Sequence, residues 1–341
     1  MVDNVHMMLE KWKDHEGKEI EVFEEFTLLT SEVISRTAFG SSSVEGRNIF
    51  EMLKEMAVLT SRYAFKVRLP GISKIWKMAD KIAGEKLEKG ICDDIIRIIK
   101  KREEKIASGE SDGFGNDFLG LPVQAFLEED RSKKITVDEL VVECKAFYVA
   151  GQETTNATLT WMVFFLAVHS EWQEEARKEV LNVFGRRDPY YDGVAKLKKE
   201  EVSIEIPLNR ISLNRKVNRQ VRVGKLIVPA NMEFCVASLK VHHDPKIWGE
   251  DVHLFNPERF SVGVAKATDN NPAVFLLFGM GPRNCVGMNF ATTEAKIALS
   301  MILQRYSFML SPTYTHSPSE LITIRPQYGL HVILHPLQKE D

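Results

Sequence analysis

The chain has 341 residues, 44% hydrophobic and 27% charged, with 45 Lys and Arg against 48 Asp and Glu for a net charge of -3. That length allows one large domain or two ordinary ones, the composition is that of a globular protein, and the charge gives no reason to expect nucleic acid as a partner. Cys92, Cys144, Cys235 and Cys285 are widely scattered, with neither a disulfide framework nor metal-ligand spacing among them, which points to a reducing compartment.

Residues 1–6 read as neither signal peptide nor membrane anchor. The most apolar stretch, 157–168, is too short to cross a bilayer. The first half reads as helices separated by polar breaks. Residues 26–38 have helical spacing and end at Gly40, and a second helix over 49–65 stops before Pro70-Gly71. Residues 74–106 are long and charged, with Ile95, Ile98, Ile99 and Ile106 as an apolar stripe. A Gly/Ser/Asp-rich loop over 108–120 follows as the candidate flexible segment. Thr136-Val137-Asp138-Glu139 is a capping box, and the helix it starts runs to about His169. Ser170 to Gln173 has the same form and opens a helix to Phe184. Beyond residue 210 the texture changes: 220–228, 232–238 and 321–334 read as strands and 288–306 as a helix. The predicted class is mainly α with a small β-sheet.

Two segments carry chemistry. Inside the long helix, Ala150-Gly151-Gln152-Glu153-Thr154-Thr155 sets small residues beside an acid and hydroxyls. Gly there costs about 1 kcal/mol relative to Ala, and a hydroxyl bonded to the preceding turn bends a helix. The pattern suits a helix that widens to admit a small molecule and pass it a proton; the plain alternative is a polar face. The second is Phe278-Gly279-Met280-Gly281-Pro282-Arg283-Asn284-Cys285-Val286-Gly287. It holds one cysteine in a glycine-bounded loop, a cation two residues earlier and a helix after it. Nearby positive charge, backbone N–H groups and a helix N-terminus all favour thiolate over thiol. Gly279 and Gly281 permit tight turning. The plain alternative is a free cysteine packed in a loop.

The decapeptide resembles the ligand loop of the cytochrome P-450 haem-thiolate monooxygenases, F-x-x-G-x-R-x-C-x-G, at every fixed position. The helical segment resembles the A/G-G-x-D/E-T motif of the same family, and Phe255 with Pro257-Glu258-Arg259-Phe260 resembles its P-E-R-F segment. Residues 29–40 and His242-His243-Asp244-Pro245 are similar to the plant branch that includes secologanin synthase. By that resemblance the fold is the cytochrome P-450 fold, incomplete at its N-terminus, with residues 1–341 forming a single partial domain, the C-terminal two-thirds of the family's. Cys285 is the implied metal ligand, to the iron of heme b. Phe278 shields the sulfur, Gly279 and Gly287 shape the loop, and Gly151 lies in the helical roof. Arg283 and Arg215 are the implied partners of the propionates; a solvated strand is the other reading of Arg215. Thr154 and Glu153 are the implied catalytic pair, for dioxygen handling and proton relay. The implied activity inserts one oxygen atom of O2 into an apolar small molecule such as a terpenoid or hormone. Electrons come from NADPH through a reductase. Localisation at the cytosolic face of the endoplasmic reticulum membrane, and membrane association at all, follow from the resemblance alone.

The resemblance has gaps. The family's Glu-x-x-Arg is missing from 196–207, where Pro207 interrupts any helix. Glu174 and Arg177 have that spacing but sit on the preceding helix and are no substitute. Arg259 would then be buried without its partners, at about 3–5 kcal/mol. Leu-Asn-Arg occurs at 208–210 and again at 213–215, a hypothetical mis-joined exon that comparing transcript with genomic DNA would settle. The family's N-terminal strands and anchor have no counterpart. Two other readings stay open: a truncated, non-catalytic remnant, and a thiol enzyme with Cys285 as nucleophile. Neighbours on a strand point to opposite faces, so His242 and His243 do not easily share a metal, and both read as surface or turn residues.

Overall fold

The computed structural model describes residues 1–39, 48–49, 51–53, 55–56, 58–59, 73–110, 117–127, 134–197, 213–320 and 323–337. They are mainly helical with small antiparallel sheets. The chain divides into two units, Met1–Phe26 with Thr155–Asp341, and Thr27–Thr154.

In the first unit, α1 (Val2–Trp12) buries Val5, Met8, Leu9 and Trp12, which recur at helical spacing. α7 (Met288–Leu303) is buried continuously from Glu294 to Leu303, the mark of a helix inside the core. The Trp12 ring lies between Phe26 and Tyr306, with centroids 6.1 and 6.3 Å away. A three-stranded sheet runs β1 (Glu19–Glu21), β9 (His331–Pro336), β6 (Tyr306–Leu310), pairing Ile20 with Val332 and Phe308 with Leu334. The sequence reading carries the helix to Tyr306. The structure ends it at Leu303 and makes Tyr306 the first residue of β6. Three two-stranded ribbons complete the described strands: β2 (Leu213–Lys216) with β5 (Glu233–Val236), β3 (Val221–Val223) with β4 (Leu226–Val228), and β7 (Pro318–Glu320) with β8 (Ile324–Pro326). The strand read over 220–228 is thus a hairpin, turned at Gly224 with φ 58°.

A buried polar network ties α6 (Ser170–Phe184) to this core. Arg177 donates through Nε to the Leu303 carbonyl at 3.1 Å, and through Nη2 to the Tyr306 carbonyl at 3.1 Å and Gln173 Oε1 at 2.9 Å. Glu174 pairs with its Nη1. Gln173 donates to the carbonyls of Leu166 and Phe308 and accepts from the Phe308 N–H. The helix-opening role read for Gln173 is therefore corrected: α6 has no side-chain cap bond, and the amide turns inward to satisfy a strand residue and one helix end.

In the second unit, α3 (Ser73–Ala107) buries Ile91, Ile95, Ile98 and Ile99, and α5 (Val137–Val168) contributes Leu140, Val141, Cys144 and Tyr148. Leu29, Val33 and Ile34 of α2 (Val22–Phe39) and Leu119 and Val123 at α4 (Gly120–Leu127) are buried with them. The capping box forms as read, with Thr136 N–H to Glu139 Oε2 at 2.7 Å and Glu139 N–H to Thr136 Oγ1 at 3.2 Å. Arg102 forks onto Asp117 at 2.8 and 2.5 Å, so the end of the presumed loop is tied down. Described positions between 48 and 59 are helical. The interval 198–207 and the first Leu-Asn-Arg lie outside the described residues.

Candidate functional site

The cysteine loop is built by local geometry. Gly279 and Gly281 have φ of 77° and 78°, values that side-chain-bearing residues rarely adopt. The Gly279 N–H donates to the Leu276 carbonyl at 3.0 Å, and the Cys285 N–H returns to the Phe278 carbonyl at 2.8 Å. These bonds hold the loop as a closed turn. A short 3-10 turn, Gly281–Arg283, begins with Pro282 inside it. Gly287 then caps α7, and the Ala291 N–H donates to the Gly287 carbonyl at 2.8 Å. A Cβ at Gly287 would lie 4.0 Å from Cys285 Sγ, so the first turn of α7 comes up against the sulfur.

The thiol is free and exposed, and residues 280–286 are exposed with it, Val286 fully. Phe278 is half-buried, beside the sulfur's own turn. Arg215, half-buried on β2, brings Nη2 to 3.9 Å from a Cβ placed at Gly279 and donates through Nη1 to the Asn214 carbonyl at 2.9 Å. Arg283 lies exposed in the loop itself. The first unit therefore gathers Arg215, Phe278, Gly279, Arg283, Cys285 and Gly287. An uncovered sulfur, apolar Val286 and Met280, and two cations make a surface that fits a flat, anionic, metal-bearing group such as haem.

Gly151, Glu153 and Thr154 of the helical motif belong to the second unit, whose last residue is Thr154. α5 runs unbroken from Val137 to Val168, so the widening read at Gly151 is not a break in the helix. The glycine answers a packing need: a Cβ there would fall 2.5 Å from Ile34 Cδ1. Thr154 Oγ1 donates back to the Ala150 carbonyl at 2.5 Å, the local bond expected of a mid-helix threonine. Glu153 is half-buried beside it.

Three further groups take their setting from the fold. Arg259 does not lack partners: it bonds the carbonyls of Trp248 and Asp251 and pairs with Asp251 Oδ2 at 3.1 Å. Asp251 is held below the usual carboxylate range, first by Asn256 and then by Arg259. Glu258 is exposed. His243 is exposed as read, but His242 is half-buried and accepts a backbone hydrogen bond, which corrects its surface assignment. Glu294, on α7, is 2% exposed, and its Oε1 has no hydrogen-bond partner among the described residues. Burial pushes its pKa up to about 8, against the pull of the Met1 ammonium.

Comparison with known proteins gives a consistent picture. The family model described as Cytochrome P450 matches residues 1–332. Cytochrome P450 CYP749A22 of Panax ginseng is 55% identical over 99% of this chain and 65% of its own length. The 7-deoxyloganic acid hydroxylase of Catharanthus roseus is 41% identical over 97% of the chain and 66% of its own length. Secologanin synthase 2 of Catharanthus roseus is 38% identical over 98% and 66%. The chain spans about two-thirds of the length of these relatives. The crystal structure of the cytochrome P450DA heme domain superposes with a TM-score of 0.83 at 21% identity, over 99% of this chain and 72% of that one.

Proposed function

The chain belongs to the cytochrome P450 family, and from that premise we propose that it is the haem-thiolate portion of a monooxygenase of plant specialised metabolism. On this reading both units form one partial domain of the family. The observation that carries it is the exposed Cys285 thiol in a closed glycine turn, with the Arg215 guanidinium against the same turn. Heme b, when bound, supplies reductive activation of dioxygen and transfer of one oxygen atom, and a thiolate ligand favours O–O cleavage.

The remaining work falls to the chain. Cys285 Sγ is the ligand atom, and the loop's backbone holds it in place. Arg215 and Arg283 offset the negative charge of the propionates. With haem bound, Phe278 would shield the sulfur from water, and Gly279 and Gly287 would leave room for the macrocycle. Glu153 would pass a proton on toward the reacting centre, and the Thr154 hydroxyl would steady dioxygen through a hydrogen bond. The substrate is an apolar small molecule of the terpenoid, hormone or specialised-metabolite kind, with O2 as co-substrate. A reductase fed by NADPH delivers electrons. The site of action is the cytosolic face of the endoplasmic reticulum membrane; among the described residues no helix is long and apolar enough to cross a membrane.

The test is a hemin titration of the purified chain and its Cys285→Ala variant, followed by reduction under carbon monoxide. The original chain should show the absorption of thiolate ligation and the variant should lose it. A featureless spectrum from the original chain identifies a non-catalytic remnant instead. Alkylation of Cys285 undiminished by hemin favours a thiol enzyme.

A further inference from the structure

The start of the cysteine loop is gripped from outside the family motif. The Leu276 N–H donates to His242 Nε2 at 3.0 Å, while the Leu276 carbonyl accepts from Gly279 at the loop's first turn. Both polar ends of one buried residue are thus fixed immediately before Phe278. His242 closes the single helical turn Ser238–His242, and Trp248 closes the next one, Pro245–Trp248. The imidazole meets the Trp248 ring edge-on at 6.4 Å and the Phe275 ring at 6.1 Å. Phe260 bridges Trp248 and Phe275, 5.9 Å from each. Trp248 is pinned in turn, since its indole N–H donates to the Val241 carbonyl at 2.9 Å and its own carbonyl accepts from Arg259. A continuous path of contacts therefore runs from Asp251 and Arg259 through Trp248 to His242, and from there by one hydrogen bond to the loop.

We propose that His242 is a positioning residue for the Cys285 thiolate: its bare Nε2 fixes the backbone at Leu276 and so sets where the loop presents the sulfur. The inference rests on the haem-thiolate reading. An imidazole can accept a backbone N–H through Nε2 only when that nitrogen carries no proton, which assigns the ring proton to Nδ1. The surroundings favour this form. Burial, with the neighbouring His243 assisting, brings the pKa of His242 down to about 4. The aromatic walls hold the ring while leaving it no second polar partner among the described residues. The role differs from packing alone, because it needs an acceptor atom at one point in the ring.

Two substitutions separate acceptor from filler. In H242Q the side-chain oxygen reaches the former Nε2 position; in H242N the shorter side chain reaches only the Nδ1 position. Hydrogen exchange at the Leu276 amide, followed in the full chain without hemin, reads the bond directly. The reduced carbon monoxide spectrum after hemin loading reads the thiolate. H242N should exchange Leu276 about ten-fold faster than the unsubstituted chain and show a smaller thiolate share in the spectrum, with H242Q close to the original in both. Equal exchange in H242N and the original overturns the proposal, as does faster exchange with an unchanged thiolate share. Rapid exchange at Leu276 in the unsubstituted chain at neutral pH overturns it without any variant. A slow Leu276 amide together with no thiolate absorption in the original chain refutes the haem-thiolate reading itself, and the positioning role goes with it.

Discussion

Glu294 offers the sharpest test of the energetics. Its carboxyl is buried in α7 with one oxygen unpartnered among the described residues, and desolvation raises its pKa from 4.5 to about 8. The folded chain keeps that proton through a range where the unfolded chain has released it. The stability tied to it is full below pH 4.5 and drains away as pH rises through 8. A shift of that size corresponds to about 5 kcal/mol in all, of which about 3 kcal/mol is gone by pH 7. Glu294→Gln keeps the shape of the protonated acid and cannot ionise, so it removes this drain. Urea unfolding at pH 5, 7 and 9 should show the variant gaining on the original by about 3 kcal/mol between pH 5 and 9 at least. Parallel pH profiles for the two chains would refute the reasoning, since they would mean Glu294 ionises freely in the fold.

Other consequences can be measured the same way. Arg177→Met leaves the Leu303 and Tyr306 carbonyls without their buried donor and should lower unfolding stability by about 3–5 kcal/mol; a loss under about 1 kcal/mol would mean the network is dispensable. Gly151→Ala sets a methyl against the Cδ1 end of Ile34; the packing cost of about 1–3 kcal/mol is offset by about 1 kcal/mol of helix propensity, so the net loss should be about 0–2 kcal/mol, read as a thermal midpoint no higher than the original's. His242, whose folded pKa lies at about 4 against 6.5 unfolded, contributes stability that is complete above pH 6.5 and lost as pH falls toward 4. The loss is about 3 kcal/mol, and H242Q should flatten it in acid titration followed by tryptophan fluorescence.

Local determinants were legible and remote ones were not. The capping box at Thr136 and Glu139 needs only residues three apart, and it forms as its letters indicate. The positive φ angles at Gly279 and Gly281 follow from the loop's own glycines. Tyr306 fits a helix or a strand by its letters because no breaker separates α7 from β6 and its apolar neighbours suit either period; its pairing with Pro336 and the Trp12 ring, both distant in sequence, make it strand. Gln173 has the letters of a cap, yet carbonyls of Leu166 and Phe308 claim it. The α1 stripe of Val5, Met8, Leu9 and Trp12 is a helical signature that spacing alone carries. His242 left only a faint sign, a histidine near Trp248, because its partner is a main-chain amide and carries no letter at all.

The junction at Gly287 joins an exposed loop to a helix buried from Glu294 to Leu303. With the cap set against the sulfur and the core gripping α7 soon afterwards, the thiol cannot retreat unless the interior loosens too. On the haem-thiolate reading, bleaching of the pigment on heating and melting of the hydrophobic centre become one event, so colour alone would serve as a thermometer for the first unit's integrity.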